Sequence, residues 1–443
     1  MNKKNFWKDT IIVGLALFST MFGAGNLIFP PQIGLFSGDQ WVLGVLGLLL
    51  GGIILPVLAL WAVNNVGDKA QDLMGHVSPW FYNAYYLIGC SFIAMGSTLP
   101  KSAATTHEMA IQPLFPNVPI WVTVIVFFVL VYFFACDPNS VIDKLGKYMT
   151  PILVILLAIV LIKGVISPVG TPVDTGIDNA FGDAILTAYN TGDLTVGIMF
   201  ASVILLDLRR RGYTGAESKK GGYMAGVVSI VVLFAVYGTL TYIGACASGV
   251  YSQDTPQTVL LSGIIQSIMG PVGMACLGGA VALACLTTAV GIGTTCVGFF
   301  YDFFKRKIPY KVLVLIACII GIFMGITGVQ NIVNYVTPIF LVVYPALIVN
   351  TVLGLLNKYL PNDGFYKGGV LMAAVVSLGD AVLSVNPNIG WLRNFMDLFP
   401  FSGLGFAWVV PTIIGMIVGA IICRGKPKYQ PLPDPAEVSA QEK

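Results

Sequence analysis

Residues able to do chemistry are few in this chain, and they concentrate in two short polar interruptions of long apolar stretches. The first reads TMFGAGNL at 20–27 and the second TAYNTGDL at 187–194. Set at an offset of 167 residues, both fit T-x-[FY]-x-x-G-[ND]-L. Glycine and asparagine inside a helix weaken it by about 0.5–1 kcal/mol each relative to alanine. One reading is close helix packing through small residues. The other is unwound backbone, tolerated at membrane depth only against a protein cavity. In that reading, half-helices beginning near Leu27 and Leu194 point positive dipole ends inward, suited to a carboxylate. Half-helices ending near Phe22 and Asn190 offer carbonyls to an ammonium or a cation. Such a pair of breaks can hold a zwitterion.

Two carboxylates fall inside apolar sequence, Asp193 at the second interruption and Asp380. An aspartate at the centre of a membrane helix costs about 2.5–3.5 kcal/mol on insertion scales, so each needs a partner, a proton or a cavity. Asp193 reads as a substrate or cation ligand, as a cap on the following half-helix, or as both. Asp380 reads as the bearer of a structural hydrogen bond. Thr287 and Thr288 stand side by side, with Thr294 and Thr295 two turns on. Membrane threonines commonly bond back to their own helix, but two hydroxyls facing carbonyls of a broken first helix would also make a sodium cage.

Other chemistries find little support. His107 and Glu108 are the nearest thing to a catalytic pair, without HExxH spacing or a partner histidine. The chain has only 2 histidines and 8 cysteines, and no cysteine forms a CxxC pair. Disulfide frameworks and structural zinc are not expected. No G-x-x-x-x-G-K-[ST] is present, so a nucleotide-driven pump is not expected either. A channel would need a lined pore, usually with oligomeric symmetry.

The elements that must position these residues are membrane helices. Of 443 residues, 56% are hydrophobic and 10% charged, with mean hydropathy +0.84, whereas soluble domains carry roughly 25% charged residues. A bilayer span needs about 20 apolar residues. Twelve stretches qualify, at 10–36, 41–63, 80–106, 119–136, 148–167, 179–206, 223–249, 270–299, 311–328, 332–356, 367–386 and 403–423. A second reading carries the third on through Ala110 as one long tilted helix. The first follows a basic start but is too long for a cleaved signal and reads as a retained span. With an inside N-terminus, the cytoplasmic side collects 21 of the 24 lysines and arginines, leaving Lys101, Lys163 and Arg393 outside. This follows the positive-inside rule and puts both termini in the cytoplasm.

The interruptions sit in the first and sixth spans, an arrangement that points to a transporter site. An odd number of spans separates the two starts, so the second copy enters inverted. The expected fold is all-α, with an N-terminus at 1–9 and a first five-helix repeat at 10–167. An inverted repeat at 177–357, two further helices at 358–423 and a disordered cytoplasmic tail at 424–443 complete it. Residues 387–400, with Trp391, Phe395 and Phe399, read as an interfacial helix.

Four motifs carry a family resemblance across the chain: FGAGNLIFPP at 22–31, LPKSAATTHEMAIQP at 99–113, YNTGDL at 189–194 and LACLTTAVG at 283–291. The chain resembles the branched-chain amino acid:cation symporter family (BrnQ type) of the amino acid–polyamine–organocation superfamily. It departs from that family at Lys101, where arginine is usual, and at Gly192, where methionine is usual. The resemblance implies a leucine-transporter-like fold in the plasma membrane, with no enzymatic activity and no nucleotide or nucleic-acid partner. It also implies uptake of leucine, isoleucine and valine with Na+ or H+ as the coupling ion and no cofactor. Carried over by motif, the solute meets Gly23, Ala24, Gly25 and Asn26 on one side and Tyr189, Thr191 and Asp193 on the other. The cation meets backbone carbonyls of Ser19, Phe22 and Ala284 and hydroxyls of Thr287 and Thr288. The rival reading is a transporter of the same fold for serine, proline or a nucleobase.

Overall fold

A computed structural model describes residues 5–67, 69–136 and 150–431, and among them every regular element is helical. The first predicted span is divided into α1 (Phe6–Met21) and α2 (Ala24–Ser37). Then come α3 (Trp41–Leu48) and α4 (Leu55–Val66), joined by a π-helical segment, Leu49–Ile54. A short α5 (Ala70–Gly75) precedes α6 (Phe81–Ile88) and α7 (Leu99–Thr106), joined by the π-helical Gly89–Thr98. A further π-helical turn, His107–Ile111, carries the third stretch through Ala110 as expected. The chain continues through α8 (Ile120–Ala135) and α9 (Thr150–Ile166). The second interrupted span is α10 (Ala180–Tyr189) and α11 (Asp193–Arg210), followed by α12 (Gly215–Ala245). The remaining helices are α13 (Gln257–Phe303), α14 (Tyr310–Gly325), α15 (Val329–Leu355), α16 (Gly364–Val385), α17 (Gly390–Met396) and α18 (Val409–Ile422).

Several helices are long and apolar enough to cross a bilayer singly, among them α12, α13, α15 and α16. Their outward faces are apolar: Val231 on α12 and Leu371 on α16 are each 62% exposed, a pattern that lipid makes favourable. Inside, α1 and α2 pack on α12, while α3 and α4 pack on α10 and α11. A second group, α7, α8, α9, α13 and α14, packs among itself and meets the first where α13 crosses α2. The site lies at that crossing.

Three features differ from the sequence expectation. Helix α13 begins at Gln257 rather than near 270, and Gly270 (φ 59°) with Pro271 kinks it there. A positive φ suits glycine and proline removes a helical donor, so the break is local while the apolar residues before it still wind. Asp380 is half-buried and, among the described residues, makes no hydrogen bond, so the expected structural bond is absent. Within the predicted disordered tail, Lys428 and Tyr429 are packed against the protein while 424–427 are exposed; residues beyond 431 lie outside the described residues.

The Tyr429 ring lies on Gly75, its amide donates to Asp363 Oδ2 (2.6 Å), and Lys428 Nζ donates to the Leu360 carbonyl (3.2 Å). His76 Nδ1 pairs with Asp363 Oδ1 at 2.6 Å. Burial pushes the Asp363 carboxyl up, but the bonds from His76 and the Tyr429 amide outweigh it and hold the group below its ordinary value.

Helix α2 is seated on α12 through glycine. A Cβ at Gly34 would fall 1.9 Å from the Thr241 carbonyl oxygen, and one at Gly244 1.9 Å from that of Pro31. Backbone cannot yield as a side-chain tip can. Gly244→Val should therefore cost at least the 1–3 kcal/mol typical of overpacking and lower the melting temperature of the purified protein by several degrees. Gly298→Ala, where a Cβ meets nothing within 4 Å, should not lower it.

Candidate functional site

The first interruption is short. α1 ends at Met21, Phe22 turns out of helical geometry (φ −81°, ψ 88°), Gly23 is extended, and Ala24 starts α2. Gly25 and Asn26, expected in the break, are already in the new helix, which begins three residues before Leu27. The second interruption is a bend of 53° between α10 and α11. There Gly192 adopts φ 84°, left-handed backbone that glycine reaches without strain. Asp193 is the first residue of α11, where a negative charge meets the positive helix end.

The two interruptions meet. Asn26 Nδ2 donates to both carboxylate oxygens of Asp193, at 3.1 Å each, and also to the Met21 carbonyl. Thr191 Oγ1 donates to the Ala188 carbonyl (2.8 Å) and accepts from the Asp193 amide (3.3 Å), closing the turn. Lys101, on α7, donates from Nζ to the Asn190 carbonyl at 3.0 Å. The sequence placed Lys101 on the outer side; the structure instead buries it beside α2 and the second break, 2% exposed. Its position follows from the third stretch winding continuously past it, so that it faces inward rather than into a loop.

Thr20, Met21, Gly23, Gly25, Asn26, Thr98, Lys101, Thr191, Asp193, Val196, Thr288 and Ile292 enclose a space of about 10 Å³. That is barely room for one water, so the arrangement is closed and must widen to take a solute. Tyr189 stands behind this enclosure. Its ring meets that of Tyr344 at a tilt of 35°, centroids 4.8 Å apart, and its buried hydroxyl has no partner among the described residues. Sequence reasoning missed Thr98, Val196 and Ile292, which carry no local signal. It also missed Tyr344, whose hydroxyl accepts the Leu194 amide at 3.1 Å and caps α11.

The expected cation ligands fall on two facing elements. Thr288 Oγ1 donates to the Phe22 carbonyl at 3.3 Å, bringing α13 against the end of α1. Thr287 Oγ1 bonds back to the Ala284 carbonyl at 2.9 Å, and Ser19 lies on the last turn of α1, half-buried. This donor set is made of neutral oxygens, which suits a hard monovalent cation better than a soft transition metal. His107 and Glu108 do not form a catalytic pair. His107 Nδ1 meets Thr123 Oγ1 (2.9 Å), while the Glu108 carboxylate accepts from Thr258 Oγ1 (2.6 Å) and the Val329 amide (2.9 Å).

Over residues 6–426 the chain matches the family described as "Branched-chain amino acid transport protein". It is 28% identical over 428 residues to the branched-chain amino acid permease BraB of Bacillus subtilis, covering 94% of this chain and 95% of that relative. Among solved structures, a mutant of the Eremococcus coleocola manganese transporter is similar with a TM-score of 0.62 and 14% identity, over 95% of this chain and 97% of the other. The inward-facing conformation of Mhp1 gives a TM-score of 0.60 at 14% identity, over 98% and 94%. At such identities the likeness is one of fold.

The cap on α11 can be tested without any solute. Tyr344→Phe keeps the ring contact and leaves the Leu194 amide unpaired, a loss of about 1–3 kcal/mol for a buried donor. Thermal unfolding of the purified variant should show a lowered midpoint; an unchanged midpoint would mean that the amide has found another acceptor.

Proposed function

The chain belongs to the branched-chain amino acid transport protein family, and from that premise we propose that it imports leucine, isoleucine and valine across the plasma membrane. It does so as a cation-coupled symporter working by alternating access. In this reading twelve helices cross the bilayer with both termini inside, and the first ten form two inverted repeats of five. The observation that carries it is the bond between Asn26 and Asp193, which joins two interrupted helices at one enclosure. Two helix breaks around a shared pocket are how transporters expose backbone to a small polar solute at mid-membrane.

The solute lies among Gly23, Gly25, Asn26, Thr191 and Asp193, with Met21, Val196 and Ile292 supplying apolar surface for its side chain. One methylene in such a surface is worth about 1–3 kcal/mol, so the three branched side chains share the site. Sodium sits between α1 and α13, on the carbonyls of Ser19, Phe22 and Ala284 and the hydroxyls of Thr287 and Thr288. For the ion to enter, the Thr288 hydroxyl turns its proton away from Phe22 and offers its lone pair.

Two measurements in proteoliposomes test this. Leucine counterflow should be present in the wild type and greatly reduced by Asp193→Asn, with the amount of inserted protein unchanged; wild-type flux in that variant removes Asp193 from the solute site. The double variant Thr287→Ala, Thr288→Ala should need a higher sodium concentration for half-maximal uptake. If its ion dependence is unaltered and a pH gradient alone drives wild-type uptake, the coupling ion is the proton.

A further inference from the structure

Lys101 is a buried charge that the bonds around it satisfy only in part. It is buried in α7 and has three N–H donors, of which the structure pairs one, with the Asn190 carbonyl at 3.0 Å. The Phe29 ring lies 5.4 Å from the ammonium, a weaker contact. One side of its surroundings carries the wrong sign for it. A Cβ at Gly25 would lie 3.2 Å from Nζ, so the ammonium stands on the first turn of α2. The first amides of a helix have no partner within it and present positive potential, which favours an anion and opposes a cation. The one carboxylate on the same enclosure, Asp193, accepts from Asn26 instead.

Two positive features thus converge on the space beside Gly25, and one negative group stands across the enclosure at the start of α11. An anion between Lys101 and the first turn of α2 would satisfy both positive features at once. We propose that Lys101 is the carboxylate anchor of the solute site. The solute's carboxylate is held between the Lys101 ammonium and the α2 amides, and its ammonium takes Asp193 and the Asn190 carbonyl that Lys101 gives up. This rests on the amino-acid reading above and deepens it. The site selects molecules bearing both charges one carbon apart, and rejects apolar amines and apolar acids that bear only one.

Thermal shift of the purified protein with three ligands decides it: leucine, 3-methylbutan-1-amine (leucine without its carboxylate) and 4-methylpentanoate (leucine without its ammonium). Wild type should bind leucine at least tenfold more tightly than either analogue. Lys101→Met should weaken leucine and 4-methylpentanoate at least tenfold and leave the amine unchanged or tighter. Lys101→Arg should keep leucine within a few-fold, and Asp193→Asn should weaken the amine and spare the acid. Equal weakening of leucine and the amine by Lys101→Met would make Lys101 scaffold and overturn the proposal. If that variant is not recovered folded, wild type decides, since equal affinity for leucine and the amine overturns it too. Absence of any leucine shift in wild type at millimolar concentration, with a shift by another solute, refutes the branched-chain reading itself and this inference with it.

Discussion

The side-chain amide of Asn26 holds two broken helices together. It donates to the Asp193 carboxylate and to the Met21 carbonyl, the last acceptor of α1. The constraint behind it is general: lipid offers no water, so every backbone group freed by an interruption must find a partner inside the protein. The partners can be followed one by one. Thr288 serves the Phe22 carbonyl, Thr191 the Ala188 carbonyl and Lys101 the Asn190 carbonyl, while Tyr344 serves the Leu194 amide. These interactions draw α7, α13 and α15 in around the two breaks.

The groups that stabilise the breaks are thus also the groups facing the enclosure. In the closed arrangement they satisfy one another around about 10 Å³. On the proposed reading, a solute that enters exchanges an internal bond for one of its own, and such exchanges leave a modest net energy. That suits transport, which needs a site that fills and also empties. A pocket preformed with unpaired groups would bind more tightly and release slowly.

How much of this was legible in the sequence follows from what each residue type betrays. Glycines, Asn26 and Asp193 are costly inside apolar helices, and it was their recurrence in one motif at the first and sixth spans that marked the interruptions, while the motif TTAVG marked the helix facing them. The exact ends were not legible, because alanine, Gly25 and Asn26 are tolerated in a first helical turn; the break therefore narrows to two residues. Lys101 was misplaced because counting cationic residues assigns each to the nearest loop, whereas this one lies within a helix that runs on to Ile111. The continuity of that stretch through Ala110 was the available signal. Val196, Ile292 and Tyr344 are ordinary helix residues whose role comes only from which helices meet. The packed residues 428–429 were hidden for the opposite reason: proline-rich polar sequence reads as disordered until a glycine surface such as Gly75 accepts a ring.

The offset of 167 residues that aligns the two interruptions also separates Asn26 from Asp193. The aligned positions are therefore the ones in contact, as expected where two related segments cross near a common axis. Their identities cannot be the same if the site is to work. Two aspartates would repel across 3 Å, and two asparagines would leave no charge for a solute ammonium. One of each gives a donor facing an acceptor with a single negative charge left over. The backbones diverge likewise, extended at Gly23 and left-handed at Gly192. With Lys101 on one side and Asp193 on the other, the enclosure carries a dipole, along which the proposed zwitterion would sit in only one sense.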